Sequence, residues 1–438
     1  MKGKNRVAVL GLDGVPYTLL KTLFSAGVMP HLADVANDGA FIRMETSHPC
    51  VSSVAWTSFM TGENPGVHGI FGFTDIASDR IALKLPSFDD IQCPVVWHRI
   101  PNKRTIVVNL PFTYPARPLN GALISGFVAP IFERSVYPSS MIPWLRAKNY
   151  RIDVDAVRGR SNRQAFIDDL FQTVDIHASV MLELMEAQSW DLFIGILTAT
   201  DRLLHFFFDA SEEQDHPLHE TVMNFFRRID DIIKRFLCNA GPHTRIILLS
   251  DHGFTRLRTQ VYLNRILQTL GYLDYTTTSP KGLQDINKTS RALALDPSRI
   301  YIHTRQRFQS GVVGPREAEA LRGVLKAALE GLTARDIGIL FSENGLSPSD
   351  KVFAKVMVKE EAYKGPLLSL APDLIIIPKN GYDLKASLSV TTLTQKDIFT
   401  GMHTHDDAFL ITREAEIGQR LQTPNITDVF QLMIEVLM

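Results

Sequence analysis

The sequence predicts an α/β protein built on a mostly parallel central sheet flanked by helices. Two observations predict it: short apolar runs rich in β-branched residues stop abruptly at glycine or polar positions, and longer stretches with helical spacing separate them. A third is the acidic residue just beyond three of those runs, where sheets of this kind carry their ligands. At 438 residues the chain exceeds the size at which one core stops growing, so a large domain with an insertion, or two domains, is expected.

Val7 to Leu12 reads as the first buried strand, with Asp13 directly after it. Thr105 to Leu110, Leu192 to Leu197 and Arg245 to Leu249 read as further strands, the last two followed by Asp201 and by Asp251-His252. Arg163 to Gln188 reads as a helix, because Phe166, Leu170 and Val174, then Val180, Leu182 and Met185, recur near helical spacing. Glu212 to Cys238 reads as another. Strands alternating with helices argue for parallel pairing.

From Phe254 to Thr400 the texture changes. A helix-like run from Pro315 to Leu332 stands among short strand-like runs, Arg299 to His303, Val352 to Val358 and Leu374 to Ile376, with many turn residues. This predicts an inserted α+β cap over 256–400, with residues 1–255 and 401–438 forming the core. The chain rejoins the core at Gly401, before the run Ala408 to Ile411 and a final amphipathic helix from Ile426 to Met438.

Composition excludes several classes. Forty-six basic against 47 acidic side chains give a net charge of -1, too little field to gather a nucleic-acid polymer or an anionic membrane. The basic start, Met1 to Arg6, precedes an apolar run too short for a signal peptide, and no run is long enough to span a membrane. Cys50, Cys93 and Cys238 are few, odd in number and far apart, so a disulfide framework is not expected and a reducing cytoplasm is.

Four segments carry chemistry. In Asp201-Arg-Leu-Leu-His205, Asp and His four apart on a helical turn point the same way and can share an ion, although the same spacing also makes a plain surface pair. In Ser250-Asp-His-Gly-Phe254, a carboxylate and an imidazole stand side by side at a strand end, where glycine lets the backbone turn. Gly11-Leu-Asp13-Gly14 offers a carboxylate for a metal or a ribose, but no full dinucleotide fingerprint and no GxxxxGK[ST] loop occurs. Cys50-Val-Ser52-Ser53 opens a short helix running to Met60; a serine there is commonly an N-cap, and it also suits a nucleophile whose phosphate target the helix end stabilises.

These segments, in this order and followed by Gly401-Met-His403, resemble the alkaline phosphatase superfamily, in particular its type I phosphodiesterase/nucleotide pyrophosphatase branch. Ala55-Trp-Thr-Ser-Phe59, Thr61-Gly-Glu-Asn-Pro-Gly-Val-His-Gly-Ile70, Pro111-Phe-Thr-Tyr-Pro115 and Ser250 to Phe254 are most similar to the predicted phosphohydrolase/phosphomutase family within it. Looser matches reach the cap at Tyr301-Ile302, Arg307, Tyr363-Lys-Gly365 and Pro372-Asp-Leu-Ile375. The resemblance implies an alkaline-phosphatase-like fold and two divalent ions, and the mixed carboxylate and imidazole donors it assigns favour zinc, with manganese the alternative. It assigns Asp201, His205 and His403 to one ion, Asp13, Asp251 and His252 to the other, and Ser52 as a nucleophile bridging toward the second.

The implied reaction is cleavage of a small-molecule phosphate monoester or diester through a phosphoserine-type intermediate. A metal is what makes serine a competent nucleophile without a separate base. A phosphomutase or phosphotransferase would use the same site, and a catalytically silent metal- or phosphate-binding protein would keep it without turnover. Ser53 is a one-residue rival to Ser52, and His405, in Gly401-Met-His-Thr-His-Asp406, a rival to His403. His68 is expected to be a hydrogen-bonded structural histidine. Asn109 and Arg307 are candidate substrate contacts, while His303 and Gln306 depart from the family pattern. A sulfatase is disfavoured, since no C/S-x-P-x-R follows Cys50. Oligomeric state is left open.

Overall fold

The computed structural model describes residues 5–77, 81–342 and 345–438; the Met1 to Lys4 part of the basic start lies outside them. An eight-stranded sheet forms the centre. Its strands are β1 (Arg6–Leu12), β2 (Ala40–Met44), β3 (Thr105–Leu110), β4 (Gly121–Ser125), β5 (Val136–Tyr137), β6 (Leu192–Leu197), β7 (Thr244–Leu249) and β8 (Ala408–Thr412), in the spatial order β2-β8-β7-β1-β6-β3-β4-β5. The inner strands β7, β1, β6, β3 and β4 are parallel. At the edges, β8 runs antiparallel to β7 and β2, and β5 antiparallel to β4.

The inner strands are buried along nearly their whole length and mostly apolar because both faces are covered. Alternation along β1 divides its side chains between two cores. Ala8, Leu10 and Leu12 pack with Phe166, Leu170, Phe225 and Phe236, from the helices α2 (Arg163–Ala187) and α4 (His219–Ala240). Val7 and Val9 face the other way, toward Trp56, Phe59 and Met433, from α1 (Ser52–Thr61) and α5 (Asp428–Leu437). Truncating a fully buried ring such as Phe225 to alanine would cost about 3–5 kcal/mol through lost burial and the cavity left behind.

The expected helix from Glu212 to Cys238 divides in two. Glu212 ends α3 (Ala199–Glu212), and α4 starts at His219. Pro217, which has no N–H to give, lies in the turn between them.

The chain from Thr259 to Gln395 builds smaller sheets. One has four antiparallel strands, ordered Ala292–Leu295, Arg299–Ile302, Leu374–Pro378 and Phe353–Val358. The helix Pro315–Gly331 lays Leu321, Leu325 and Leu329 into a hydrophobic cluster of its own, which also takes in Ile76 from the earlier chain. The other sheet sets Tyr382–Lys385 beside Thr259–Tyr262 and Thr394–Gln395. Among the described residues no helix is long and apolar enough to cross a membrane.

Candidate metal centre

Strand order gathers the acidic residues. β1 lies between β6 and β7 with Leu12 level with Leu197 and Gly11 level with Leu249, so three adjacent strands finish together and Asp13, Asp201 and Asp251 emerge on one edge. Asp201 sits in the first turn of α3, where a negative charge suits the helix end. His205 follows one turn later. His403 arrives by another route: Gly401–Thr404 pairs antiparallel with Gly253–Arg256, setting His403 opposite Phe254.

Two donor sets result, Asp201 with His205 and His403, and Asp13 with Asp251 and His252. In the first, Asp201 Oδ2 lies 3.4 Å from His205 Nε2 and 3.2 Å from His403 Nε2, and the two Nε2 atoms are 3.0 Å apart. His403 Nδ1 faces the Cys50 carbonyl at 3.0 Å, which fixes its proton there and turns the Nε2 lone pair inward. Two imidazole lone pairs and a carboxylate oxygen converge on one point, an arrangement that fits a cation.

In the second set His252 Nε2 stands 3.6 Å from Asp13 Oδ1 and 3.4 Å from Asp251 Oδ2. His252 Nδ1 faces the Gly253 carbonyl at 3.2 Å, again leaving Nε2 free. Asp251 Oδ1 accepts the Gly14 N–H at 3.0 Å, while its buried Oδ2 has no hydrogen-bond partner among the described residues. An orphaned buried carboxylate oxygen is costly in a finished protein. The donors, carboxylate oxygen and imidazole nitrogen, fit a divalent cation in each set.

Ser52 Oγ joins the second set, 3.4 Å from Asp13 Oδ1 and 3.3 Å from His252 Nε2. It opens α1, whose N-cap residue Val51 provides no side-chain cap, so the Ser52 and Ser53 N–H groups stay available to an anion, the Val54 N–H being bonded to the Val51 carbonyl.

Burial and neighbouring charges set the protonation of the two donor sets. Burial, then Asp251 and Asp201, hold Asp13 well above the usual carboxylate range, and burial pushes Asp251 up to about 7. Burial lowers His205 to about 4 and takes His252 well below its ordinary value, so both imidazoles are neutral at pH 7, as ligands must be. Asp201 stays below the usual carboxylate range in spite of burial, held there by His205, His403 and Arg202.

Several supporting residues were not visible in the sequence. Arg202 donates from Nη1 to Asp201 Oδ1 at 2.9 Å and from Nη2 to Asp153 Oδ2 at 2.7 Å, which leaves Asp201 Oδ2 for the donor set. The Trp56 indole N–H donates to Asp13 Oδ2 at 3.1 Å, and Thr200 Oγ1 donates to the Asp13 carbonyl at 2.6 Å. The one available signal was Trp56, a turn of helix beyond Ser52. Asp153 lies 49 positions from Arg202, and no local pattern links them.

The remaining candidates fall elsewhere. Ser53 Oγ is buried without a partner among the described residues, apart from both donor sets. His405 faces His48, ring centroids 5.4 Å apart, and belongs to neither set. His68 is fully buried between Ser58 Oγ at 3.0 Å and the Ile70 N–H at 3.1 Å. Asn109 is fully buried, its Nδ2 donating to the Ile196 carbonyl at 3.1 Å and to Thr198 Oγ1 at 3.3 Å. These bonds tie it to the end of β6, and its buried Oδ1 has no hydrogen-bond partner among the described residues. Arg307 donates to the Ala371 carbonyl and covers the Tyr301 ring, in a pocket lined by none of the donor residues. His303 is held by the Ser290 carbonyl and Ser310 Oγ, both at 3.0 Å.

Among curated proteins no sequence matches this chain. Solved structures share its fold at low identity. Phosphonoacetate hydrolase from Sinorhizobium meliloti 1021, in complex with phosphonoformate, superposes with a TM-score of 0.65 at 15% identity, covering 99% of this chain and 96% of that one. Murine ectonucleotide pyrophosphatase/phosphodiesterase 5, as an inactive variant in complex with AMP, gives 0.56 at 12%, covering 99% and 94%. The human protein of that name gives 0.55 at 13%, with the same coverage. The family model described as type I phosphodiesterase / nucleotide pyrophosphatase matches residues 7–406, a span that holds every member of both donor sets. The chain therefore belongs to the type I phosphodiesterase/nucleotide pyrophosphatase family, metal-dependent hydrolases of phosphoric esters.

Proposed function

We propose that this protein hydrolyses a small-molecule phosphate ester with Ser52 as nucleophile and two divalent ions, one held by Asp201, His205 and His403, the other by Asp13, Asp251 and His252. The observation that carries the reading is the position of Ser52 Oγ, at the uncapped start of α1 and against the second donor set. When bound, the ions lower the pKa of a hydroxyl and neutralise charge on the transferring phosphoryl group.

The chain supplies the rest. Ser52 Oγ attacks phosphorus, the P–O bond to the alcohol breaks, and the alcohol leaves carrying the serine proton. Water then cleaves the phosphoserine, giving phosphate and restoring the hydroxyl. The N–H groups at the start of α1 face the non-bridging oxygens, where negative charge accumulates. Arg202 and Trp56 hold Asp201 and Asp13 with one oxygen of each turned to its donor set.

Zinc is the favoured metal, because each set mixes carboxylate and imidazole donors. Three free cysteines fit a reducing cytoplasm. Metal analysis together with turnover of p-nitrophenyl phosphate and its bis ester tests the proposal. Two ions per chain and hydrolysis of either compound are expected; two ions without hydrolysis of either would overturn it.

A further inference from the structure

Beside the donor sets lies a cleft of about 320 Å³ whose floor includes His205 and His403. Its far wall comes from the cap. On the strand Tyr382–Lys385, Tyr382 and Leu384 are buried while Asp383 and Lys385, two apart, are partly exposed on one face. Lys385 Nζ and Asp383 Oδ2 form a 2.8 Å pair, and Lys385 is close enough to act electrostatically on His205. Asp296 completes the wall, one carboxylate oxygen accepting the Ala386 N–H at 2.6 Å. Phe73 and Met402 supply apolar surface.

This wall carries two carboxylates and one ammonium beside the place where a phosphate would sit. A leaving group bearing a carboxylate or a second phosphate would face Asp296 and Asp383. A quaternary ammonium would be attracted by the two carboxylates but has no hydrogen to give them and no lone pair for Lys385 Nζ, so it could use none of the hydrogen-bonding capacity. A neutral hydroxyl satisfies both signs, since it accepts from Lys385 Nζ and donates to a carboxylate oxygen. The volume sits at the small end of ligand clefts and suits a single sugar unit.

Building on the hydrolase reading above, we propose that the alcohol part of the substrate is a neutral polyhydroxyl group, a sugar or polyol, read by Asp383, Lys385 and Asp296 of the cap. Phosphonoformate, the ligand of the Sinorhizobium structure, carries a carboxylate and belongs to the class this wall rejects.

Competition measures it. Ribose 5-phosphate, 3-phosphoglycerate and phosphocholine are titrated as inhibitors of the metal-loaded enzyme, acting on whichever nitrophenyl ester it turns over. Ribose 5-phosphate is expected to bind about ten-fold more tightly than the other two, as one hydrogen bond to a charged group accounts for. That preference is expected to shrink in Asp383→Asn and in Lys385→Met, each checked for unchanged melting. Equal or tighter binding of 3-phosphoglycerate or phosphocholine would overturn the inference, as would a preference surviving in both variants. Should neither nitrophenyl ester be turned over, the hydrolase reading fails, and calorimetric titration of the same three compounds into the metal-loaded protein still decides which class the cleft accepts.

Discussion

Replacing Arg202 with methionine removes the guanidinium that joins Asp201 to Asp153. Asp201 is 2% exposed and Arg202 20%, so the methionine can follow the same apolar path while its lost charge leaves two carboxylates facing one another. Removing one member of a buried ion pair costs about 3–5 kcal/mol, because the orphaned charge stays behind. The partial exposure of Arg202 places the metal-free protein at the lower end, about 3 kcal/mol. With roughly 2.1 cal/mol/K of unfolding entropy per residue over 438 residues, that corresponds to a Tm lower by about 3 °C. Once a cation neutralises Asp201 from its other oxygen the loss should fall below about 1 kcal/mol, since binding to the native state alone adds stability. Scanning calorimetry of wild type and Arg202→Met, each with chelator and with added Zn2+, reads both numbers. Equal losses in the two conditions, or a metal-free shift under about 1 °C, would refute the reasoning.

Ser52→Ala is expected to lose turnover by roughly 10³-fold or more while keeping both ions, as nucleophile deletions do, whereas Ser53→Ala, which removes a hydroxyl without a partner among the described residues, should retain it; steady-state kinetics and metal analysis separate them. Gly14 has φ +73 and a Cβ there would meet Phe254 at 2.6 Å, so Gly14→Ala should destabilise by about 1–3 kcal/mol and weaken metal binding through the Gly14 N–H to Asp251; thermal melts and zinc titration read the two effects. His177 is fully buried, and burial lowers it from 6.5 to about 4 in spite of the Arg151 carbonyl. Its unfolded form therefore binds the proton first, and the stability it contributes is complete above pH 6.5 and drains away as pH falls toward 4. That window is worth about 3 kcal/mol, and urea titrations at stepped pH should show an acid slope shallower by about one proton in His177→Gln.

The ends of β1, β6 and β7 were readable because an apolar run that stops at Asp is a local signal, and the i, i+4 spacing of Asp201 and His205 survives as one turn of α3. Membership of the site follows from strand order, which is not local: Asp13 meets Asp251 because β1 lies beside β7. His403 was placed by resemblance alone, since its strand pairs with Gly253–Arg256 across about 150 intervening residues that no periodicity spans. Asn109 stands at a strand end like the acidic residues, but on β3, one strand beyond β6, where its Nδ2 is tied to the end of β6 and its buried Oδ1 has no hydrogen-bond partner among the described residues. The edge strands β2 and β5 and the inner strand β4 went unread, being short or only partly apolar. The cleft wall of Asp296, Asp383 and Lys385 gave no signal because isolated charges in turn-rich sequence look like solvated surface.

The central place of β1 has a consequence for biosynthesis. The strand leaves the ribosome long before its neighbours β6 and β7, which begin only at Leu192 and Thr244. At roughly 5–20 residues per second, the Val7 to Leu12 segment waits about 10–40 s for its first strand partner, and of the two donor sets the one of Asp201, His205 and His403 stays incomplete until His403 emerges. During the wait the nascent chain exposes an unpaired apolar strand to its surroundings, so chaperone occupancy should persist until β6 and β7 are made, and an ion at that set could be held only once the strand bearing His403 has followed.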